Sequence, residues 1–356
     1  MTRQQDISEE LVAQVRHARE SGVPLAIHGG GSKAFYGRQV SGTALNVRNH
    51  CGIVNYEPTE LVLTARAGTP LAEINEALAD KGQMLPFEPP DFDGVATLGG
   101  AISTGLSGPR RPWAGSARDL VLGTRLINGQ GEHNRYGGEV MKNVAGYDVS
   151  RVVTGALGTL GVITEISMKV LPQPESEHTL VIETTPGEAA SAVEGWFRQG
   201  HPVSGAALLN GRLHLRLSGA ASAVEAGRRG IGGETLEGAD QWWRDLRDHR
   251  LSFFADEGPP LWRISLPPGA DGLALEGEQL LDWNGQLRWL RTAVEPAQVF
   301  ASATELGGHA TLFRGGERNG DVFQPLPEAL HRLNKRLKTA LDPAGIFNPG
   351  RMYADI

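Results

Sequence analysis

A single cysteine, Cys51, stands among the 356 residues. One thiol excludes an internal disulfide, a thiolate zinc site and any iron–sulfur cluster held by this chain alone. Redox chemistry here would need an organic cofactor. No apolar run approaches the length that crosses a bilayer, and the polar start MTRQQDISEELV lacks the apolar core of a secretory signal. A soluble, cytoplasmic protein without a transmembrane segment is the expectation. Positive charge is scarce as well: 34 Lys and Arg against 41 Asp and Glu leave a net charge of −7, and no basic cluster overrides it. That balance argues against a nucleic-acid partner. Several familiar motifs are also missing. No GxGxxG follows the first strand, Gly31-Ser32-Lys33 lacks P-loop spacing, and no Gly-x-Ser-x-Gly elbow marks a serine hydrolase.

Glycine, by contrast, is abundant at 47 residues, and its clustering says more than its total. The richest stretch is Lys142 to Thr164, KNVAGYDVSRVVTGALGTLGVIT. Gly155, Gly158 and Gly161, at three-residue intervals, predict turns that offer backbone N–H groups to a ligand, or else a glycine-rich hairpin with none. Downstream, Ile166, Met168 and Val170 alternate with Glu165, Ser167 and Lys169, which predicts a half-buried strand stopped by Pro172. Near the start, an apolar strand over 23–27 runs into His28-Gly29-Gly30-Gly31-Ser32-Lys33. Three successive glycines leaving a strand make a flexible turn, or a nest of N–H groups for an anion such as a phosphate. A further cluster runs from Gly94 through Gly99, Gly100 and Gly105 to Gly108.

Local signals place these clusters between regular elements. Asp6 with Glu9 reads as a capping box for a helix bearing Leu11, Val15 and Ala18, ended by Gly22. Thr69 as N-cap and Pro70 at the first helical position start another, with Leu71, Ile74 and Leu78 inside. A proline-bearing linker at 172–176 divides the chain: residues 1–172 form one domain and 177–325 a second α+β domain. A C-terminal part, 326–356, opens with an amphipathic helix carrying Leu330, Leu333 and Leu337 on one face. It closes with a turn-rich tail from Asp342 to Arg351.

Individual side chains leave choices open. His28 is either a flavin attachment point or phosphate donor, or a strand-ending histidine bonded to backbone. His214 belongs to the polar face of a strand, and Trp242 and Trp243 to a core or interface. Tyr147 and Asp148 suit a functional or a capping role. His309, in the loop Gly307-Gly308-His309-Ala310, is the weak catalytic candidate. No acid or second histidine lies at metal-ligand spacing from it, so no metal is expected.

Gly29-Gly30-Gly31-Ser32, Thr97-Leu98-Gly99-Gly100, Arg118-Asp119-Leu120-Val121-Leu122-Gly123, Gly158-Thr159-Leu160-Gly161-Val162-Ile163-Thr164 and Asn348-Pro349-Gly350-Arg351 occur in this order. In that order they resemble the FAD-binding flavoproteins of the vanillyl-alcohol-oxidase (PCMH) type, which include D-lactate dehydrogenases. Tyr136 to Asp148 resembles, more narrowly, the FAD-binding subunit family of bacterial glycolate oxidase, also called glycolate dehydrogenase.

The resemblance implies an α+β fold: a two-part FAD-binding domain, a reduced cap or substrate domain, and a C-terminal segment returning to the first. It implies non-covalent FAD, because covalent members carry their histidine inside or after the glycines, whereas His28 precedes them. Its cofactor residues would be His28, Gly29, Gly30, Gly31, Ser32 and Lys33, with the pyrophosphate also on the second loop at Thr97, Gly99, Gly100 and Ser103. Arg118 would join them, with Gly158, Thr159, Gly161, Val162 and Ile163 along the adenosine or flavin edge and Asn348 and Arg351 from the tail. The implied activity is FAD-dependent oxidation of a 2-hydroxy acid, glycolate to glyoxylate. The implied partners are a catalytic flavin subunit and an iron–sulfur subunit, and any membrane association would run through them. Relatives that oxidise 2-hydroxy acids carry a metal-binding histidine pair and a Gly-Glu-His-Gly loop, absent here at Gly307-Gly308-His309-Ala310. A self-sufficient FAD-dependent hydroxy-acid or alcohol oxidoreductase, and a non-catalytic subunit with an empty flavin site, are the alternatives.

Overall fold

The computed structural model describes residues 4–92, 94–138, 147–255, 258–270 and 272–356. Most of the Tyr136 to Asp148 motif, residues 139–146 and the side chains of Tyr147 and Asp148, lies outside the described residues. The chain divides into two compact units: Met1–Ser107, Ser116–Gln173 and Pro325–Ile356 in the first, Gly108–Gly115 and Pro174–Gln324 in the second. Residues 108–115, expected in the first domain, thus group with the second. There the Trp283 indole donates to the Gly108 carbonyl at 3.0 Å, and the Arg111 guanidinium lies 4.3 Å over the Trp283 ring.

In the first unit a five-stranded antiparallel sheet runs in the order Ile53–Glu57, Val62–Arg66, Val162–Lys169, Val121–Ile127 and His133–Gly137. A parallel pair, Leu25–His28 with Thr43–Asn46, stands apart from it. Helix Ser8–Ser21 forms because Leu11, Val15 and Ala18 share one stripe, and all three are buried. It ends at Gly22, whose φ of +67° is the left-handed cap that glycine adopts without strain. Its start is not the expected capping box: Asp6 accepts from the Ser8 amide at 2.9 Å, and the N-cap residue is Ile7. Helix Leu71–Ala79 likewise has Pro70 as N-cap, because the Thr69 hydroxyl is occupied elsewhere, donating to Arg66 O at 2.7 Å and accepting from Gly52 N at 2.9 Å.

Strand Val162–Lys169 is buried on its apolar face and partly covered on its polar one. Ile166 and Met168 are fully buried, and Ser167 is buried too, its hydroxyl 2.8 Å from that of Thr64 on the neighbouring strand. The alternation of polar and apolar residues is real; on the polar side Ser167 meets a polar neighbour instead of water, while Glu165 and Lys169 are half-buried.

The second unit is built on an eight-stranded antiparallel sheet ordered Glu234–Thr235, Ser176–Glu183, Arg212–Gly219, Val203–Leu209, Glu278–Asp282, Leu287–Arg291, Leu261–Ser265 and His309–Arg314. Leu213, Leu215 and Leu217 pack with Val193 and Val224 of helices Pro186–Arg198 and Ala221–Ile231. Ile264 and Leu312 pack with Val299 and Ala303 of helix Pro296–Glu305. Trp243 is buried, donating to Thr179 Oγ1 at 2.9 Å, and Trp242 stacks on His214 with ring centroids 3.8 Å apart.

Helix Glu328–Leu341 departs from its reading. Leu330 and Leu333 are 48% and 49% exposed, while the one buried side chain is Lys338.

Candidate cofactor site

A cleft in the first unit gathers four separated stretches: residues 26–34, 97–104, 157–163 and the tail at Asn348 and Arg351. Strand pairing delivers the first of them. The parallel register Leu25↔Thr43 to His28↔Asn46 fixes where the chain leaves the sheet, and Val47 N closes on His28 O at 2.8 Å. The chain then turns through residues 29–32. Gly30 must be glycine, since a Cβ there would lie 1.7 Å from the Val95 carbonyl oxygen. Gly31 has a φ of +81°, which side-chain-bearing residues rarely adopt. Among the described residues, the backbone amides of Gly29, Gly30, Gly31 and Ser32 donate to no protein acceptor. Four amide donors in one turn, unspent on the protein, form a concave anion site.

The second loop is arranged differently. Leu98 N donates to Thr69 O at 2.9 Å and Gly99 N to Ala67 O at 2.8 Å, while Gly100 N reaches Thr97 Oγ1 at 3.3 Å. Its amides are already committed. Gly99 and Gly100 therefore line the cleft by close backbone approach, with Thr97 and Ser103 beside them. A Cβ on Gly99 would meet Ala67 Cβ at 2.6 Å, so the loop lies directly on the strand's end.

The third wall and the tail are tied together. Gly158 has a φ of +71° and would place a Cβ 2.8 Å from Asn348 Nδ2. Asn348 spans two chain segments: its Oδ1 accepts from Ile27 N at 2.8 Å and its Nδ2 donates to Leu157 O at 2.7 Å. Arg351 follows, donating to the carbonyls of Ala34 at 3.2 Å and Lys33 at 3.4 Å. Burial holds its guanidinium below the ordinary arginine value, and no carboxylate among the described residues offsets that cost. A half-buried cation of this kind suits an anionic ligand. Lys33, whose carbonyl Arg351 meets, is buried, its Nζ 3.2 Å from Ser32 Oγ and 5.2 Å from the Phe92 ring centre. Ile27, Val47, Ala67, Leu157 and Ile163 supply apolar walls. The site thus pairs a donor nest, a buried Lys33 and a half-buried Arg351 with apolar surface, the chemistry that a diphosphate joined to planar rings needs.

A family model for the FAD binding domain matches residues 6–137. Over all 356 residues the chain is 52% identical to glycolate oxidase subunit GlcE of Escherichia coli, covering 100% of both. The chain belongs to this family. Half of this GlcE-family chain, 49%, is also 32% identical to glycolate oxidase subunit GlcD of Bacillus subtilis, over 37% of that subunit. The fold is similar to that of p-cresol methylhydroxylase with substrate bound, at a TM-score of 0.72 and 15% identity, covering 99% of this chain and 88% of that one. In the family the cofactor is FAD, and the cleft's donors and walls fit it.

Of the residues singled out in the sequence, His28, Gly29, Gly30, Gly31, Ser32, Lys33, Thr97, Gly99, Gly100, Ser103, Gly158, Gly161, Ile163, Asn348 and Arg351 all line this cleft. Three do not. Arg118 is exposed on the short helix Ala117–Leu120. Thr159 is buried, its hydroxyl donating to Ala156 O at 2.7 Å, and Val162 is fully buried within its strand. Alternation explains Val162: it points to the core while Gly161 and Ile163 reach the cleft. His309 lies in the other unit and opens strand His309–Arg314 instead of sitting in a loop, paired with Ser265. Its side chain is exposed at the head of that strand. Among the described residues no cluster of His, Cys, Asp and Glu is placed to hold a metal. The apolar walls Val47, Ala67 and Leu157 were missed in the sequence, where they carry no mark beyond being small or aliphatic.

Proposed function

We propose that this chain is the FAD-carrying subunit of a complex that oxidises glycolate to glyoxylate, with two electrons leaving the substrate for an iron–sulfur subunit. The observation that carries the reading is the turn at residues 29–32, whose four unspent amides face the same cleft as Arg351. In it, the amides of Gly29, Gly30, Gly31 and Ser32 hold the diphosphate, with Lys33 and Arg351 offsetting its charge. Asn348 fixes the wall of residues 157–161 against strand Leu25–His28. FAD supplies the two-electron chemistry that no side chain of this protein provides. The 52% identity to GlcE along the full chain supports glycolate as the substrate of the assembly, and the word subunit in that relative's name supports partners. No described helix is long and apolar enough to cross a membrane, so in this reading the membrane is met through partners, on its cytoplasmic face.

Purified chain offered FAD should take it up and show flavin absorbance. Glycolate alone should leave that absorbance unchanged, and glycolate with a GlcD-like subunit and the iron–sulfur subunit should bleach it. A chain that stays colourless at saturating FAD would sink the reading. Bleaching by glycolate without partners would replace it with a self-sufficient enzyme.

A further inference from the structure

The tail from Asp342 to Arg351 is held from behind by a buried ion pair that does not line the cleft. Lys338 is 8% exposed, although it sits on an otherwise open helix. Its Nζ donates to Thr159 O at 2.7 Å and to Phe347 O at 2.8 Å, and lies 2.8 Å from Asp342 Oδ2. Those three acceptors use all three protons of an ammonium group. The Asp342 carboxylate, fully buried, accepts in turn from Phe347 N at 2.8 Å and Ile346 N at 3.1 Å.

We infer that Lys338 and Asp342 are positioning residues for FAD: one ammonium clamps the carbonyl next to Gly158 and the carbonyl next to Asn348, and so fixes the spacing of two cleft walls. The inference rests on the cofactor reading above. Thr159 O and Phe347 O each lie one residue from a cleft-lining group, Gly158 and Asn348, whose Cβ position and side-chain nitrogen would be only 2.8 Å apart. The two walls thus meet at Gly158 with no space for a side chain between them. If the ammonium is lost, both carbonyls lose a buried donor, and the loop and tail separate to hydrate them. Burial alone would pull Lys338 toward its neutral form, and Asp342 opposes this. The acid beside the lysine therefore keeps the three-donor ammonium in place.

The test compares wild type with Lys338→Arg and with the double variant Lys338→Met plus Asp342→Asn. FAD affinity is measured by flavin fluorescence, the bound flavin by visible circular dichroism, and the FAD-free protein by its melting curve. The double variant leaves no buried charge unpaired but leaves the Thr159 and Phe347 carbonyls without a donor, so its FAD-free form is expected to melt below wild type, and affinity is compared at a temperature where every variant is folded. Lys338→Arg keeps the charge but presents a planar fork that cannot aim one nitrogen at three acceptors. Both variants are expected to bind FAD at least about tenfold more weakly and to show an altered flavin dichroism at saturation. Wild-type affinity and dichroism in both variants would overturn the inference. A wild-type chain that takes up no FAD would instead overturn the cofactor reading beneath it.

Discussion

Asn348 Oδ1 accepts the amide proton of Ile27 at 2.8 Å, joining residues 321 positions apart in the chain. The same side chain donates to Leu157 O at 2.7 Å, so one amide group satisfies both an orphan donor and an orphan acceptor. Replacement by leucine leaves both buried and unpaired. Asn348→Leu should lower stability by about 1–3 kcal/mol and weaken FAD binding, as read by denaturant unfolding and by fluorescence titration. Asn348→Asp should also fail, because a carboxylate would face the Leu157 carbonyl where the amide nitrogen donated.

Gly30→Ala should strip the protein of flavin without adding any charge. The added methyl would fall 1.7 Å from Val95 O, a backbone atom that cannot rotate away, so the turn must move and its free amides with it. Flavin content after desalting is the readout. A yellow Gly30→Ala protein with wild-type stoichiometry would remove residues 29–32 from the site.

Acid should weaken the fold well above the carboxylate range. Burial lowers His50 to about 4, although Asp6 opposes this while Arg66 and His133 reinforce it. Burial likewise lowers His214 to about 4. His50 Nδ1 accepts from Ile7 N at 3.1 Å, a bond that only the neutral ring can make there. Because the folded value lies below the unfolded one, the unfolded chain takes up the proton first. Stability is then full above about pH 6.5 and declines toward pH 4. Melting temperatures across that window should show the slope, and His50→Gln should reduce it, leaving the share due to His214.

Truncating Trp243 should separate stability from cofactor binding. Its indole is buried, bonded to Thr179 and packed 4.6 Å from the Arg216 guanidinium, all within the second unit. Trp243→Ala should cost about 3–5 kcal/mol by calorimetry while the FAD affinity of the folded fraction holds. Loss of FAD affinity at temperatures where the variant remains folded would show that the cleft depends on more than the first unit.

The sequence by itself determined where the turns fall and which residues cannot carry a side chain. Gly155, Gly158 and Gly161 all have positive φ, because backbone conformation is a local property that glycine marks directly, but Gly158 and Gly161 line the cleft while the Gly155 amide donates to Ile102 O. The order of glycine clusters and the Asn348-Pro349-Gly350-Arg351 tail likewise marked the family, since each motif meets the same ligand or the same loop. Tertiary structure decided what each group spends its hydrogen bonds on. The amides of residues 29–32 are unspent while those of Leu98 and Gly99 are not, a difference set by Thr69 and Ala67 on a neighbouring segment and invisible in two equally glycine-rich strings. It also decided the fate of the last helix, where periodicity marked Leu330 and Leu333 for burial and the fold buried Lys338. A helix inserts the side chain that finds partners, and those partners, Thr159 O and Phe347 O, come from chain segments that only folding brings together.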